Sequence, residues 1–247
     1  MRFFIALSYH GAAYHGWQKQ PNAVTVQDTI EKALSILLKH QISVTGAGRT
    51  DTGVHAHQMF AHFDCYKSFD ANQLVYKLNS FLPKDISIEK ILMVNDNAHA
   101  RFDAIRRTYI YNIVTKKDVF VNDLAYTFKS PLNLDLMNKA GEILLTYSDF
   151  QCFSKSNTDV KTYICDIKKA YWTREQHKLT FEITADRFLR NMVRAIVGTM
   201  INVGLKKTSI EELHQLIKSK NRCRAGYSVP AKGLSLTEII YPNYIYK

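Results

Sequence analysis

The sequence predicts an α+β protein made of two units with mixed or antiparallel sheets joined into a central sheet flanked by helices. Period-two and helical apolar spacings alternate along the chain, and each half follows a β-α-β-β-α-β-like order. Hydrophobic residues make up 46% of 247 residues, enough for one large or two modest cores. With only 10 Gly and 5 Pro, no linker-like stretch interrupts the chain. The join is expected near residues 100–106, with an N-terminal unit over 1–103 and a C-terminal unit over 104–247.

The elements follow in order. Phe3, Ile5, Leu7 and Tyr9 alternate as a strand. Thr25 and Asp28 resemble a capping box ahead of a helix carrying Val26, Ile30, Ala33, Leu34, Leu37 and Leu38. Ile42–Val44 reads as a strand running into Gly46-Ala47-Gly48, and residues 57–65 as another, with Met59, Ala61 and Phe63 on one face. Asp70 caps a helix with Leu74, Leu78, Phe81 and Leu82, stopped by Pro83, and residues 86–94 form a strand. In the second half, residues 107–115 alternate, Asn133 opens a helix through Leu145, and residues 162–172 and 178–185 read as a strand pair. Phe188–Val203 has helical spacing ended by Gly204. Ser209 and Glu212 form a capping box for the next helix, and Leu234–Tyr241 is the last strand.

Charge narrows the partner. Thirty-three Lys and Arg against 22 Asp and Glu leave a formal charge of +11, which favours a polyanion over a neutral small substrate. No apolar run is long enough to span a membrane, and the N-terminus lacks a signal peptide's apolar region and cleavage site, so a cytoplasmic protein is expected. Cys65, Cys152, Cys165 and Cys223 include no C-x₂-C pair and are expected to be reduced core residues.

The densest chemical signal is Gly46-Ala47-Gly48-Arg49-Thr50-Asp51-Thr52-Gly53-Val54-His55-Ala56. A carboxylate two residues from an arginine on a glycine-bounded loop can be held ionised in a partly desolvated place. The plain alternative is a turn whose Asp caps backbone amides. Asp51-Thr52-Gly53 also spells the aspartic-protease triplet, but that chemistry needs a second carboxylate, supplied only by a dimer. His55 and His57 share a strand face, an arrangement more often incidental than metal-binding. Arg101, Arg106 and Arg107 precede Tyr109 and Tyr111, whose spacing puts both rings on one face, where they can stack bases or simply pack. Arg187, Arg190 and Arg194 crowd one expected helical stretch, with Arg190 and Arg194 on one face.

Taken together, these residues resemble the tRNA pseudouridine synthases of the A type nearly end to end. The resemblance is carried by Tyr9-His10-Gly11, Tyr14-His15-Gly16-Trp17-Gln18-Lys19-Gln20-Pro21, Thr25-Val26-Gln27 and Gly48–Ala56. It continues through His99-Ala100-Arg101-Phe102, Arg107-Thr108-Tyr109-Ile110-Tyr111 and Phe188–Arg194 with Ile196-Val197-Gly198. Thr52 stands where the family often has Ala, and Arg187 where a small residue is common. The resemblance implies the pseudouridine synthase fold and isomerisation of uridine at positions 38, 39 and 40 of the tRNA anticodon stem-loop. It further implies a homodimer with a basic cleft, no cofactor and no metal. It makes Asp51 the essential carboxylate, acting on ribose, on base or through a glycal. Arg194 is then the cation that pairs with it, and Tyr109 the ring on the target base. Lys19, Arg49, Arg101, Arg106, Arg107 and Arg190 become RNA contacts. A non-catalytic RNA-binding module, which would not need Asp51, and a dimeric aspartic protease stand as the other readings.

Overall fold

A computed structural model describes residues 1–155 and 160–247. In chain order the elements are β1 (Arg2–Tyr9), α1 (Val26–Leu38), β2 (Thr45–Gly46), β3 (His55–Asp64), α2 (Ala71–Phe81), β4 (Ile86–Val94), β5 (Arg106–Val114), β6 (Tyr126–Thr127), α3 (Leu134–Leu144), β7 (Ile167–Glu175), β8 (Lys178–Ala185), α4 (Met192–Gly204), α5 (Ile210–Ser219) and β9 (Leu234–Ile240). The class is α+β, as the sequence predicts. The chain divides into two compact units, one formed by Met1–Arg106 with Ser235–Lys247, the other by Arg107–Leu234.

In the first unit β1 lies between β3 and β4, antiparallel to both. β9 runs parallel to β3, with His55 opposite Ser235, and β2 pairs antiparallel with β3. Phe4, Ile5, Ala6 and Leu7 are all buried, so both faces of β1 are covered and its alternation is not an inside–outside pattern. The caps follow side-chain chemistry. Asp70 accepts the amide of Gln73 at the start of α2. Thr25 accepts the amide of Asp28, but the Asp28 carboxylate pairs with Lys19 and Lys32, so the expected capping box is half formed.

In the second unit β8 lies between β5 and β7, antiparallel to both, and β6 pairs parallel with β5. α3 packs against β7 and α4 through glycines. A Cβ on Gly141 would lie 2.2 Å from the Ala170 carbonyl, and one on Gly204 2.7 Å from Met137 Sδ. Ser209 and Glu212 form the complete capping box of α5.

Several expectations are corrected. Ile42–Val44 is not a strand. The amides of Ile42 and Val44 bond to Ser35 Oγ and Glu31 Oε1 of α1, and pairing starts only at Thr45. β7 starts at Ile167 because the preceding residues bond elsewhere, with Cys165 N–H on Ser148 O and Tyr163 O accepting from Phe150 N–H. α4 starts at Met192, since Asn191 takes a left-handed φ of 66° that a continuous helix excludes. Gly204 is helical and serves packing, while the left-handed residue beyond it is Lys206 at φ 60°. Cys65, Cys152 and Cys165 are buried thiols, but Cys223 is exposed. Burial pushes Cys152 and Cys165 up to about 12, which keeps both protonated and unreactive. Finally, the last strand belongs with the first unit, not with the expected 104–247 unit.

Candidate active site

The loop carrying Asp51 leaves β2 and enters β3, and the segment after β1 grips it by backbone contacts. Trp17 N–H donates to the Thr50 carbonyl at 3.2 Å, and Gly53 N–H to the Tyr14 carbonyl at 3.4 Å. The Tyr9 hydroxyl and Thr50 Oγ1 share a buried hydrogen bond of 2.9 Å. Gly11 N–H donates to His55 Nδ1 at 3.0 Å. Within the loop, Val54 N–H closes a turn on the Asp51 carbonyl at 3.1 Å, and Gly53 takes φ 77°.

Two glycines make this approach possible. At Gly16, φ is 87° and a Cβ would lie 2.3 Å from the Thr50 carbonyl; at Gly11 a Cβ would lie 2.0 Å from the Val54 carbonyl. The gripping segment is anchored in turn: Tyr14 donates its hydroxyl to Asp85 Oδ1 at 2.6 Å, and His10 N–H donates to the Asp85 carbonyl. Asp51 is therefore half-buried on a backbone held on both sides, while Arg49 and Thr52 are exposed. Such a backbone fixes where the Asp51 side chain starts from, which limits the places its carboxylate can reach.

In the second unit, Tyr109 lies half-buried on β5 with its ring edge-on to Phe188, centroids 5.2 Å apart. Tyr111 is fully buried and donates its hydroxyl to the Pro230 carbonyl, so of the two rings only Tyr109 is placed to meet a ligand. Arg194 sits in the first turn of α4, its Nε donating to the Val229 carbonyl at 2.7 Å. Asn191 donates to Ser228 Oγ, and Arg222 to both Ser228 Oγ and the Gly226 carbonyl, so residues 226–229 are pinned against the start of α4.

Arg187 and Arg190 precede α4, so the expected shared helix face of Arg190 and Arg194 does not form. Arg190 is exposed and its carbonyl accepts from Lys155 N–H, while Arg187 donates to the Thr162 carbonyl. Arg107 donates to the Asp186 carbonyl at 2.7 Å, and Arg106 is exposed.

The remaining residues fall in the first unit. Lys19 bridges Asp28 at 2.8 Å and Glu31 at 3.3 Å, with its side chain still 55% exposed. Arg101 is exposed and lies over the Phe102 ring, 5.6 Å from its centroid, on a turn whose amides converge on His99 Nδ1. His55 and His62 each use Nδ1 to accept a backbone amide, from Gly11 and Ala100 respectively. Arg49, Arg101, Trp17 and Gln18 line one open cleft of about 220 Å³.

Comparison with known proteins decides the family. A family model described as tRNA pseudouridine synthase matches residues 5–103 and 145–242. The chain belongs to the tRNA pseudouridine synthase family. Members of this family are isomerases. Proteins called tRNA pseudouridine synthase A from Azobacteroides pseudotrichonymphae and Bacteroides fragilis are 51% and 49% identical to the chain, each over 100% of it and 99% and 98% of their own lengths. The protein of that name from Bacillus subtilis is 39% identical over 98% of the chain and all of its own length.

The segments matching the synthase family model contain Lys19, Arg49, Asp51, Arg101, Arg190 and Arg194; Arg106, Arg107 and Tyr109 fall between them. The sequence singles out the Asp51 loop but not what holds it. The Tyr9–Thr50 and Gly11–His55 bonds join residues about 40 positions apart. The signal available was the pair of glycines in Tyr9-His10-Gly11 and Tyr14-His15-Gly16, since a glycine repeated beside aromatic residues marks close backbone approach.

Proposed function

We propose that the chain isomerises uridine to pseudouridine at positions 38, 39 and 40 of the tRNA anticodon stem-loop, as a cytoplasmic homodimer. The C1′–N1 bond breaks, the uracil turns in place, C5 bonds to C1′, a proton leaves C5 and N1 takes one up. Substrate and product contain the same atoms, so the reaction consumes no second substrate. A target in a stem must leave its stack before any side chain reaches C1′.

Asp51 is the carboxylate that acts on the uridine, Tyr109 the ring that meets the base, and Arg194 the cation that keeps the carboxylate ionised. Arg49, Arg101, Arg106, Arg107 and Arg190 bind the RNA strand through phosphate, on a protein with formal charge +11. Lys19, exposed beside Asp28 and Glu31, is a further contact of the same kind. The observation that carries the reading is the Asp51 loop, whose backbone is gripped from both ends beside an exposed arginine, in a chain of this family. Among the described residues no helix is long and apolar enough to cross a membrane.

The test is tritium release from tRNA labelled at uridine C5, with the unmodified protein and with Asp51→Asn. Release by the former, and none above background by the latter while tRNA binding persists, supports the assignment. Undiminished release by Asp51→Asn overturns it. Binding without release by either protein favours an RNA-binding module, and Asp51-dependent peptide cleavage favours a protease. Arg194→Ala should lower turnover of bound tRNA far more than affinity; the reverse split would make Arg194 a phosphate contact.

A further inference from the structure

The open cleft in the first unit has a donor and acceptor pattern that its hydrogen bonds determine. Gln27 is the hub. Its Nε2 donates to the Val44 carbonyl and to Glu31 Oε1, both at 3.0 Å. Its Oε1 accepts the backbone amide of Lys19 at 3.0 Å and Gln18 Nε2 at 2.9 Å. The Val44 carbonyl can only accept and the Lys19 amide can only donate, so the amide of Gln27 has one allowed orientation. Gln18 must then turn its NH₂ toward Gln27. Its carbonyl oxygen Oε1 is left as an acceptor with no hydrogen bond to a described residue.

The rest of the lining completes the pattern. The charged residues of the cleft are Arg49 and Arg101, both exposed cations. At Gly48 a Cβ would meet nothing within 4 Å, and the indole of Trp17 underlies Gly46, where a Cβ would lie 2.3 Å from Trp17 Nε1. Two small residues thus leave the cleft open over a rigid aromatic floor. Its volume of about 220 Å³ is below the ~300–1,000 Å³ of pockets that enclose a whole drug-sized ligand. It suits part of a nucleotide: an anion beside a hydrogen-bond donor.

We propose that this cleft is an RNA subsite for a nucleotide flanking the reacting uridine, taking its phosphate on Arg49 and Arg101 and a neighbouring donor on Gln18 Oε1. The donor is a ribose 2′-hydroxyl or an exocyclic base amine. The first of these would let the enzyme tell RNA from DNA away from the reacting sugar. Gln27 and the Lys19 amide are positioning groups that fix which end of Gln18 meets the strand. The proposal rests on the tRNA reading above.

The test uses anticodon stem-loop RNAs with single 2′-deoxy substitutions at the nucleotides flanking the target. A parallel set lacks single exocyclic amines, with inosine for guanosine and purine riboside for adenosine. Affinity and tritium release are measured with the unmodified protein and with Gln18→Leu, whose melting temperature reports folding. One substitution should weaken binding to the unmodified protein about five- to tenfold, the size of one neutral hydrogen bond. Gln18→Leu should bind the unsubstituted RNA more weakly by the same factor and show no further loss at that one position. Which set holds the sensitive position identifies the donor.

Arg49→Ala and Arg101→Ala should each lower the slope of log affinity against log salt by about one phosphate contact. Folded Gln18→Leu with unchanged affinity, or with the same positional penalty as the unmodified protein, overturns the subsite. If Gln18→Leu fails to fold, Gly48→Ala, which puts a methyl into the open cleft, gives the same comparison. Unchanged affinity of Gly48→Ala, with the positional penalty intact, then overturns the subsite. Failure of the unmodified protein to release tritium from any RNA would count against the reaction itself, so the two failures are distinct.

Discussion

His55 Nδ1 accepts the amide hydrogen of Gly11 at 3.0 Å, tying the start of β3 to the segment that follows β1. An accepting Nδ1 carries no proton, so in the neutral ring the proton sits on Nε2. The bond lies four residues beyond Asp51 and acts on the same stretch of backbone. His55→Ala leaves the buried Gly11 amide without its acceptor, which should cost about 1–3 kcal/mol in urea unfolding. It should also lower kcat for tritium release more than it raises KM. A loss of stability with kcat unchanged would make the bond structural only.

The hydroxyls of Tyr9 and Thr50 form a buried pair at 2.9 Å. Tyr9→Phe and Thr50→Val should each destabilise by about 0.5–1.5 kcal/mol, because each breaks this buried hydrogen bond. The double variant should lose clearly less than the sum, since both changes remove the same bond. A double-mutant cycle in urea measures the coupling; strict additivity would show that the pair does not act as a unit.

At Gly198 a Cβ would lie 1.9 Å from the Tyr227 carbonyl, so α4 and residues 226–229 touch backbone to backbone. Val229 in that segment accepts from Arg194 Nε at 2.7 Å. Gly198→Ala should push the segment away and release Arg194. We expect at least a tenfold fall in turnover, together with about 1–3 kcal/mol of lost stability typical of an overpacked core. Tritium release and denaturant melts on the same sample test both.

Acid should weaken the fold through His62. Burial, with the Arg2 guanidinium nearby, lowers its pKa from the ordinary 6.5 to about 4. The neutral ring accepts the Ala100 amide at 3.1 Å. The unfolded chain therefore binds the proton first as pH falls, and stability declines between about pH 6.5 and 4 by up to about 1.4 kcal/mol per pH unit. Above pH 6.5 this contribution is complete. Urea melts at pH 7, 6 and 5 should show the slope, and His62→Gln, which keeps an acceptor, should flatten it.

Elements were legible where local signals were strong. Asp70 and Ser209 announced α2 and α5, and β4 covers the residues 86–94 expected of it. The misreadings share a physical cause. Ile42–Val44 has strand composition, but Ser35 and Glu31 of α1 capture its amides. Phe188–Asn191 has helical spacing, but Asn191 is held left-handed by its bond to Ser228, 37 residues away. In both cases side chains outside the segment override its local propensity. The site divides in the same way. Asp51 and its glycines stand in one short run, whereas Gln18's role depends on a chain of bonds through Gln27 to Val44 that no spacing rule encodes.

The return of β9 to pair with β3 bears on how the chain is made. Ser235 meets His55 across 180 residues, and all of the Arg107–Leu234 unit lies in between. A ribosome therefore delivers the whole inserted unit before the strand that completes the unit it started with. The inserted unit is contiguous and can finish folding as it emerges. The earlier unit waits with the start of β3, at His55 and Ala56, lacking its β9 partner, and that exposed stretch of edge is where a nascent chain is most open to chaperones and to mispairing.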